Sequence, residues 1–327
     1  SRIVESGVLR SLVFLTRYPD MDIERYAALT FANLALGGCG KNKQLIVEEG
    51  SVKPLVEMSK FPDEEMQHCA ALALNSIALG TYNESKAEIL QMNGLVPIVD
   101  FFQTNDADRI HLAAYLFGSL SENEEVKESL VELGVTSILV KEAAKGSIEI
   151  KRAVCYFLAL LAENTTFHKT LEVEGGFEAI ISLSSLTDVE CQEYGAFALA
   201  FLASNKAYQV KLVKLGAVRP LVSMMATEAE PRHYAGLALL KLADNFENHV
   251  TIAEEGGIQA LLKMGRNRST DEGLSYKTAL TVGHLASNAV KSLPSGGLHF
   301  GDAIGFASGS LRDRSGMSSL PTTDPSS

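Results

Sequence analysis

Chemistry in a protein needs a nucleophile, an acid–base pair or a set of ligands at workable spacing, and this 327-residue chain offers only partial matches. The run GGCGKNK at Gly37 to Lys43 has the glycines and lysine of a phosphate loop. Such a loop places Ser or Thr after the lysine to hold magnesium, and Asn42 stands there, so a turn between helices is expected. His68, His111, His233 and His284 are residue types that ligate metals or switch with pH, but they fall in different segments of the chain. Helices that pack side by side sit ~10 Å apart, too far for shared coordination at ~2 Å. Cys39, Cys69, Cys155 and Cys191 form no CxxC or Cys/His pairing, so buried free thiols are expected rather than a zinc site or disulfides. HExxH and GxSxG are absent. The acidic pairs Glu48-Glu49, Glu64-Glu65, Glu124-Glu125 and Glu254-Glu255 sit where helix ends are expected, and the helix dipole explains them. The expectation is a chain that is not an enzyme and that holds no metal or cofactor.

Composition narrows the class further. With 46% hydrophobic and 21% charged residues the chain can bury a core. A net charge of −11 opposes nucleic acid as a partner, because phosphates require a basic footprint. No stretch reaches the ~18 apolar residues of a membrane span, and the opening SRIVESG lacks a signal pattern. A cytoplasmic protein is expected. The chain opens partway through a repeat and without Met, and the expectation is a longer parent, cut or cropped here, which leaves room upstream for an anchor or targeting signal.

The elements that must position any site repeat along the chain. A glycine opens a short apolar helix at Gly7, Gly50, Gly94, Gly134, Gly175, Gly216 and Gly256, at intervals of 43, 44, 40, 41, 41 and 40 residues. A fixed period in this range marks a solenoid, in which each unit covers the apolar face of the next. After each glycine helix comes a start signal for a long helix: Pro19-Asp20, Pro62-Asp63, Asn105-Asp106, Gly146-Ser147, Thr187-Asp188, Glu230-Pro231 and Thr270-Asp271. Short polar side chains there satisfy the free amides of a first turn. The long helices carry Ala-rich cores such as YAALTFANLA from Tyr26 and YGAFALAFLA from Tyr194, apolar nearly all round, as expected of a helix sandwiched between neighbours. Asn123, Asn164, Asn205, Asn245 and Asn288 follow the long helices and are expected to cap the short helix that leads to the next glycine.

The pattern N-x-x-x-(V/I)-x-x-x-G-(A/G/S)-(V/I)-x-x-L-(V/I), then A-x-x-A-L-x-x-L-A, resembles the armadillo repeat, and it covers residues 1 to 288 in seven copies with the first truncated. The resemblance is nearer to β-catenin and the vacuolar-membrane armadillo proteins than to importin-α. It implies an all-α, right-handed superhelix whose long third helices line a concave groove, and in the family such grooves hold extended segments of partner proteins. The function so implied is a non-catalytic scaffold or adaptor. Two alternatives stand beside it: the substrate-recognition part of a larger enzyme such as an armadillo-bearing ubiquitin ligase, and a nuclear transport adaptor.

Helical spacing assigns residues to the groove. The residue before the last Leu-Ala of each long helix gives Asn33, Ser76, Ser119, Leu160, Phe201, Lys241 and His284. Four residues earlier the ladder is Leu29, Leu72, Tyr115, Tyr156, Phe197, Leu237 and Leu280; eight earlier it is Arg25, His68, His111, Arg152, Glu193, His233 and Tyr276. The chain has no Trp, and the reference Asn survives only at Asn33, so the Trp and Asn ladders with which importin-α grips basic peptides are missing. The candidate binding residues are Arg25, Asn33, His68, His111, Tyr115, Arg152, Tyr156, Phe197, His233, Lys241 and His284. Arg25, Arg152 and Lys241 against Glu193 imply a partner segment with acidic residues, anchored by apolar contact near Tyr115, Tyr156 and Phe197.

Beyond residue 288 the composition shifts to Ser, Gly and Pro. Residues 289–307 are expected to cap the last repeat or to lie in the groove, with Leu298 to Phe306 as the apolar part, and residues 308–327 to be disordered.

Overall fold

The computed structural model describes residues 7–36, 40–78, 83–104, 106–226, 231–265 and 272–292. Unit one contributes α1 (Val8–Leu15) and α2 (Met21–Leu36), and unit two α3 (Gly40–Glu48), α4 (Val52–Ser59) and α5 (Glu64–Ala78). Unit three is α6 (Asn83–Gln91), α7 (Val96–Val99) and α8 (Ala107–Leu120); unit four is α9 (Glu124–Glu132), α10 (Val135–Lys145) and α11 (Ile148–Glu163). Unit five is α12 (His168–Val173), α13 (Gly176–Ser184) and α14 (Val189–Ser204), and unit six α15 (Gln209–Lys214), α16 (Val218–Ala226) and α17 (Pro231–Leu242). Unit seven is α18 (His249–Glu254), α19 (Gly257–Gly265) and α20 (Glu272–Ser292). The described residues contain no strand.

The periodic glycines do what their spacing implies. Gly7, Gly50, Gly134, Gly175, Gly216 and Gly256 all hold left-handed backbone, with φ between 73° and 92°. A side chain disfavours that region, so glycine fits the turn between first and second helices. Unit three departs: Gly94 does not take this conformation, and Asn93 does, at φ 54°. Asn is the residue that tolerates it best after glycine.

Five of the expected start signals cap the long helices that follow them, while Thr270-Asp271 lies outside the described residues. Asp20 accepts from the amides of Asp22 and Ile23, Asp63 from Met66, Asp106 from Asp108 and Arg109, Ser147 from Ile150 and Asp188 from Cys191. Pro231 opens α17, where its missing N–H costs nothing. Asn123, Asn164, Asn205 and Asn245 accept from Val126, Thr166, Ala207 and Glu247. Asn288 breaks the series: it lies inside α20, and its amide meets His249 instead. The turn expected over Gly37–Lys43 is shorter than that, because α3 begins at Gly40; residues 37–39 lie outside the described residues.

The long helices pack on one another along the array, α2 on α5, α5 on α8, α8 on α11, α11 on α14 and α14 on α17. Their small residues allow this close approach: Ala28, Ala70, Ala71, Ala113, Ala114, Ala162, Ala198 and Ala238 are fully buried. One apolar core runs through the seven units, from Leu9 to Leu285, as a stack of units that each cover the next requires. Cys69 and Cys155 are free thiols within it, and Cys191 is also a buried free thiol; Cys39 lies outside the described residues. Residues 293–327 do too; of the tail expected from residue 289, residues 289–292 continue α20, and the rest falls outside the described residues. No described helix is long and apolar enough to cross a membrane.

Candidate protein-binding groove

The third helices present one face that the stack leaves open, and the ladder positions fall on it unevenly. Tyr115, Tyr276 and Leu280 are exposed at 42%, 69% and 46%. Asn33, His233 and His284 are exposed, while Arg25, His68, His111, Arg152, Tyr156, Phe197 and Lys241 are half-buried. The reference ladder is not open throughout. Ser76 and Ser119 are buried, and their hydroxyls donate back along the helix to Leu72 and Tyr115 carbonyls at 2.8 and 3.1 Å.

An aromatic run crosses the middle of this face. Tyr156 of α11 lies with its ring centroid 5.0 Å from that of Tyr194 on α14. On α14, Phe197 packs against Phe201 at 4.7 Å, and edge-on against Tyr234 of α17 at 5.1 Å. Tyr234 in turn meets His233 at 5.6 Å, and His111 meets Tyr115 at 6.2 Å. Gly118 of α8 makes room for the run: a Cβ there would stand 2.9 Å from the Tyr156 ring. The Tyr156 hydroxyl donates to Glu122 at 2.6 Å, and burial together with that carboxylate pushes its pKa up. Tyr194 and Tyr234 were not among the residues assigned from spacing. The available signal was their shared place at the start of the apolar core, where Tyr26 also stands, 70% exposed.

The arginines have a different role from the one their charge implies. Arg25 binds Asp63 at 2.8 Å, Glu65 at 2.7 Å and Asp22 at 3.3 Å. Arg152 binds Asp188 at 2.6 Å and Glu190 at 3.5 Å. Asp63 and Asp188 are the caps of the next long helix, so each arginine clasps its own unit to the one that follows. The Arg152 guanidinium, with the Cys191 amide, holds the Asp188 carboxyl down at about 2. Asp63 is lowered by the Met66 amide and then by Arg25. The positive charge assigned to the ladder at these two positions is therefore met within the protein. Lys241 has no ion-pair partner among the described residues.

Toward the first units the face deepens into a concavity of about 410 Å³, whose walls include Arg25, Tyr26, His68, Glu64, Glu65 and Arg109. Arg109 is 5% exposed and lies over the Phe101 ring at 4.4 Å. Among the described residues no group of three or more His, Cys, Asp or Glu side chains could hold a metal ion.

No protein-family model matches the chain, and no curated protein matches it. Solved structures do. An engineered protein from a structural-genomics programme superposes with a TM-score of 0.79 at 28% identity, over 89% of this chain and 72% of that one. A computationally designed armadillo repeat protein for modular peptide recognition gives 0.67 at 25% identity, over 71% of this chain and 99% of that one. A second designed armadillo repeat protein gives 0.67 at 25% identity over 72% and 99%. The chain thus folds as an all-α, right-handed solenoid of armadillo-type repeats, similar to these designed proteins.

Proposed function

We propose that the chain is a non-catalytic scaffold that holds an extended segment of a partner protein along the face of its third helices. The observation that carries this reading is the partly open aromatic run from Tyr115 through Tyr156, Tyr194 and Phe197 to Tyr234. Rings of this kind supply large contact area at low entropic cost, and Tyr is enriched where interfaces concentrate their energy. The likeness to a designed protein for modular peptide recognition supports the same reading. The partner segment has an apolar anchor over the run. Its acidic residue meets Lys241, flanked by the exposed His233 and His284, because Arg25 and Arg152 are already engaged by carboxylates of this chain.

The test is selection of peptides from a displayed random library on the immobilised chain, repeated with Tyr115→Ala and Lys241→Ala. Among the described residues neither side chain has an ion pair to a neighbouring unit, so helicity and urea midpoint should hold. Peptides with an aromatic or aliphatic anchor beside an acidic residue should be enriched, and each variant should weaken their capture about tenfold or more, as loss of a hot-spot contact does. No enrichment, or equal capture by the variants, would overturn the assignment.

A further inference from the structure

Units five and seven each bury a histidine whose two ring nitrogens are both engaged. His168 is 1% exposed and His249 5%. His168 Nε2 lies 2.7 Å from the Ala162 carbonyl oxygen at the end of α11, and Nδ1 lies 3.5 Å from Asn205 Nδ2 beyond α14. A carbonyl only accepts, so Nε2 carries the hydrogen. The Asn205 Oδ1 already accepts from the Ala207 amide at 3.1 Å, so its donating nitrogen is the end turned to Nδ1, which must be bare. The neutral imidazole satisfies both bonds, and the imidazolium does not. Unit seven repeats the arrangement, with His249 Nε2 2.9 Å from the Ala243 carbonyl and Nδ1 2.8 Å from Asn288 Nδ2. Between them, Gln209 of unit six fills the same position, seven residues before its glycine, and donates to the Ala203 carbonyl at 3.0 Å. An amide cannot titrate.

Among the described residues no carboxylate pairs with either ring. His168 faces the Tyr208 ring at 5.9 Å. Of the charged groups on its own helix and on α15, Lys169, Glu172 and Lys211 are tied to one another at 2.8 and 3.1 Å. Glu163 of α11 and Glu178 of α13 are turned to solvent. Around His249, Glu247, Glu254, His284 and Lys263 are exposed, and Asp244 pairs with Lys277 of α20 at 3.9 Å.

We propose that His168 and His249 are an acid-sensitive switch in the stack: protonation at Nδ1 sets N–H against the amide N–H of Asn205 or Asn288 and loosens the junctions of units five and seven, while unit six holds. Burial keeps the His168 imidazole below the ordinary histidine value, so at neutral pH it is uncharged. With the folded pKa below the unfolded one, its contribution is full above the ordinary histidine value and is lost as pH falls from there through the folded value. The switch needs no assumption about what the groove binds. Its mechanical consequence is nonetheless local to the groove, since α11, α14 and α20 bound the loosened junctions.

The experiment compares the full chain with His168→Gln/His249→Gln, in which both positions copy Gln209. Urea unfolding is followed by far-UV circular dichroism about one pH unit above and about one below the ordinary histidine pKa of about 6.5. The parent midpoint should drop across this interval and the variant midpoint should drop less; parallel drops would overturn the switch. Should the variant fail to fold, the imidazole Cε1–H signals of the parent decide by their own titration. A His168 midpoint below the ordinary value supports the switch, and one at or above it overturns it.

Discussion

From unit three onward the position seven residues before the left-handed turn is buried, yet the two halves of the molecule fill it with different chemistry. Units three and four use Lys86 and Lys127, at 0% and 2% exposure, and units five to seven use His168, Gln209 and His249. A lysine ammonium can only donate and carries its charge into the interior, which is why each buried lysine is met by a carboxylate: Glu122 for Lys86, and Glu124 at 2.7 Å for Lys127. The neutral side chains need only a main-chain carbonyl six residues back, at the end of the preceding long helix. Lys43 of unit two shows the cost of the charged solution, since burial and the nearby Lys86 lower its pKa. The same packing slot thus makes the first half dependent on charge pairs and the second half dependent on neutrality.

Several variants would break or sharpen this contrast. Glu122→Ala should have the largest effect, because it leaves the fully buried Lys86 ammonium without its carboxylate and frees the Tyr156 hydroxyl. Breaking a buried pair from one side costs about 3 kcal/mol, read as a fall in urea midpoint. Gly118→Ala should cost about 1–2 kcal/mol, since its new methyl meets the Tyr156 ring at 2.9 Å; the Tyr156 aromatic resonances should shift while those of Tyr208 stay. Gln209→Ala should cost about 1 kcal/mol, the loss of one neutral hydrogen bond to Ala203. A cost equal to that of Glu122→Ala would dissolve the distinction between the halves. Tyr156→Phe should cost about 1 kcal/mol, since the lost bond to the Glu122 carboxylate is solvent-exposed, and leave peptide capture unchanged, because the ring and not the hydroxyl forms the run.

The pH response separates the halves in the same order. The Lys127 ammonium holds the Glu124 carboxyl below its ordinary value. That contribution is present above the ordinary carboxylate range and is lost only as pH falls through the lowered folded value. It is small, because Glu124 is 59% exposed and solvent screens it. Amide signals from units five and seven should therefore broaden at milder acidity than those from units three and four. The opposite order would contradict the comparison.

Much of the fold was legible because single residues decide it locally. The glycine period named the turns, and Asp20, Asp63, Asp106, Ser147 and Asp188 named the starts of the long helices, since a cap acts within four residues of itself. Asn93 hid behind Gly94 because either residue tolerates left-handed backbone, and the neighbouring contacts chose between them. Asn288 looked like its four counterparts, but α20 continues through it. The groove was legible only in part. Tyr115, Tyr156 and Phe197 follow from helical spacing. The burial of Ser76 and Ser119 depends on how closely successive long helices approach, and the engagement of Arg25 and Arg152 depends on carboxylates 36 to 40 residues away.

The sequence by itself determined the period, most of the helix starts and the apolar faces, because these rest on propensity and on contacts within one turn of helix. The tertiary structure decided which polar side chains are interior and which charges are already spent. Burial and pairing arise between units, where the distance that matters is set by stacking and not by position along the chain.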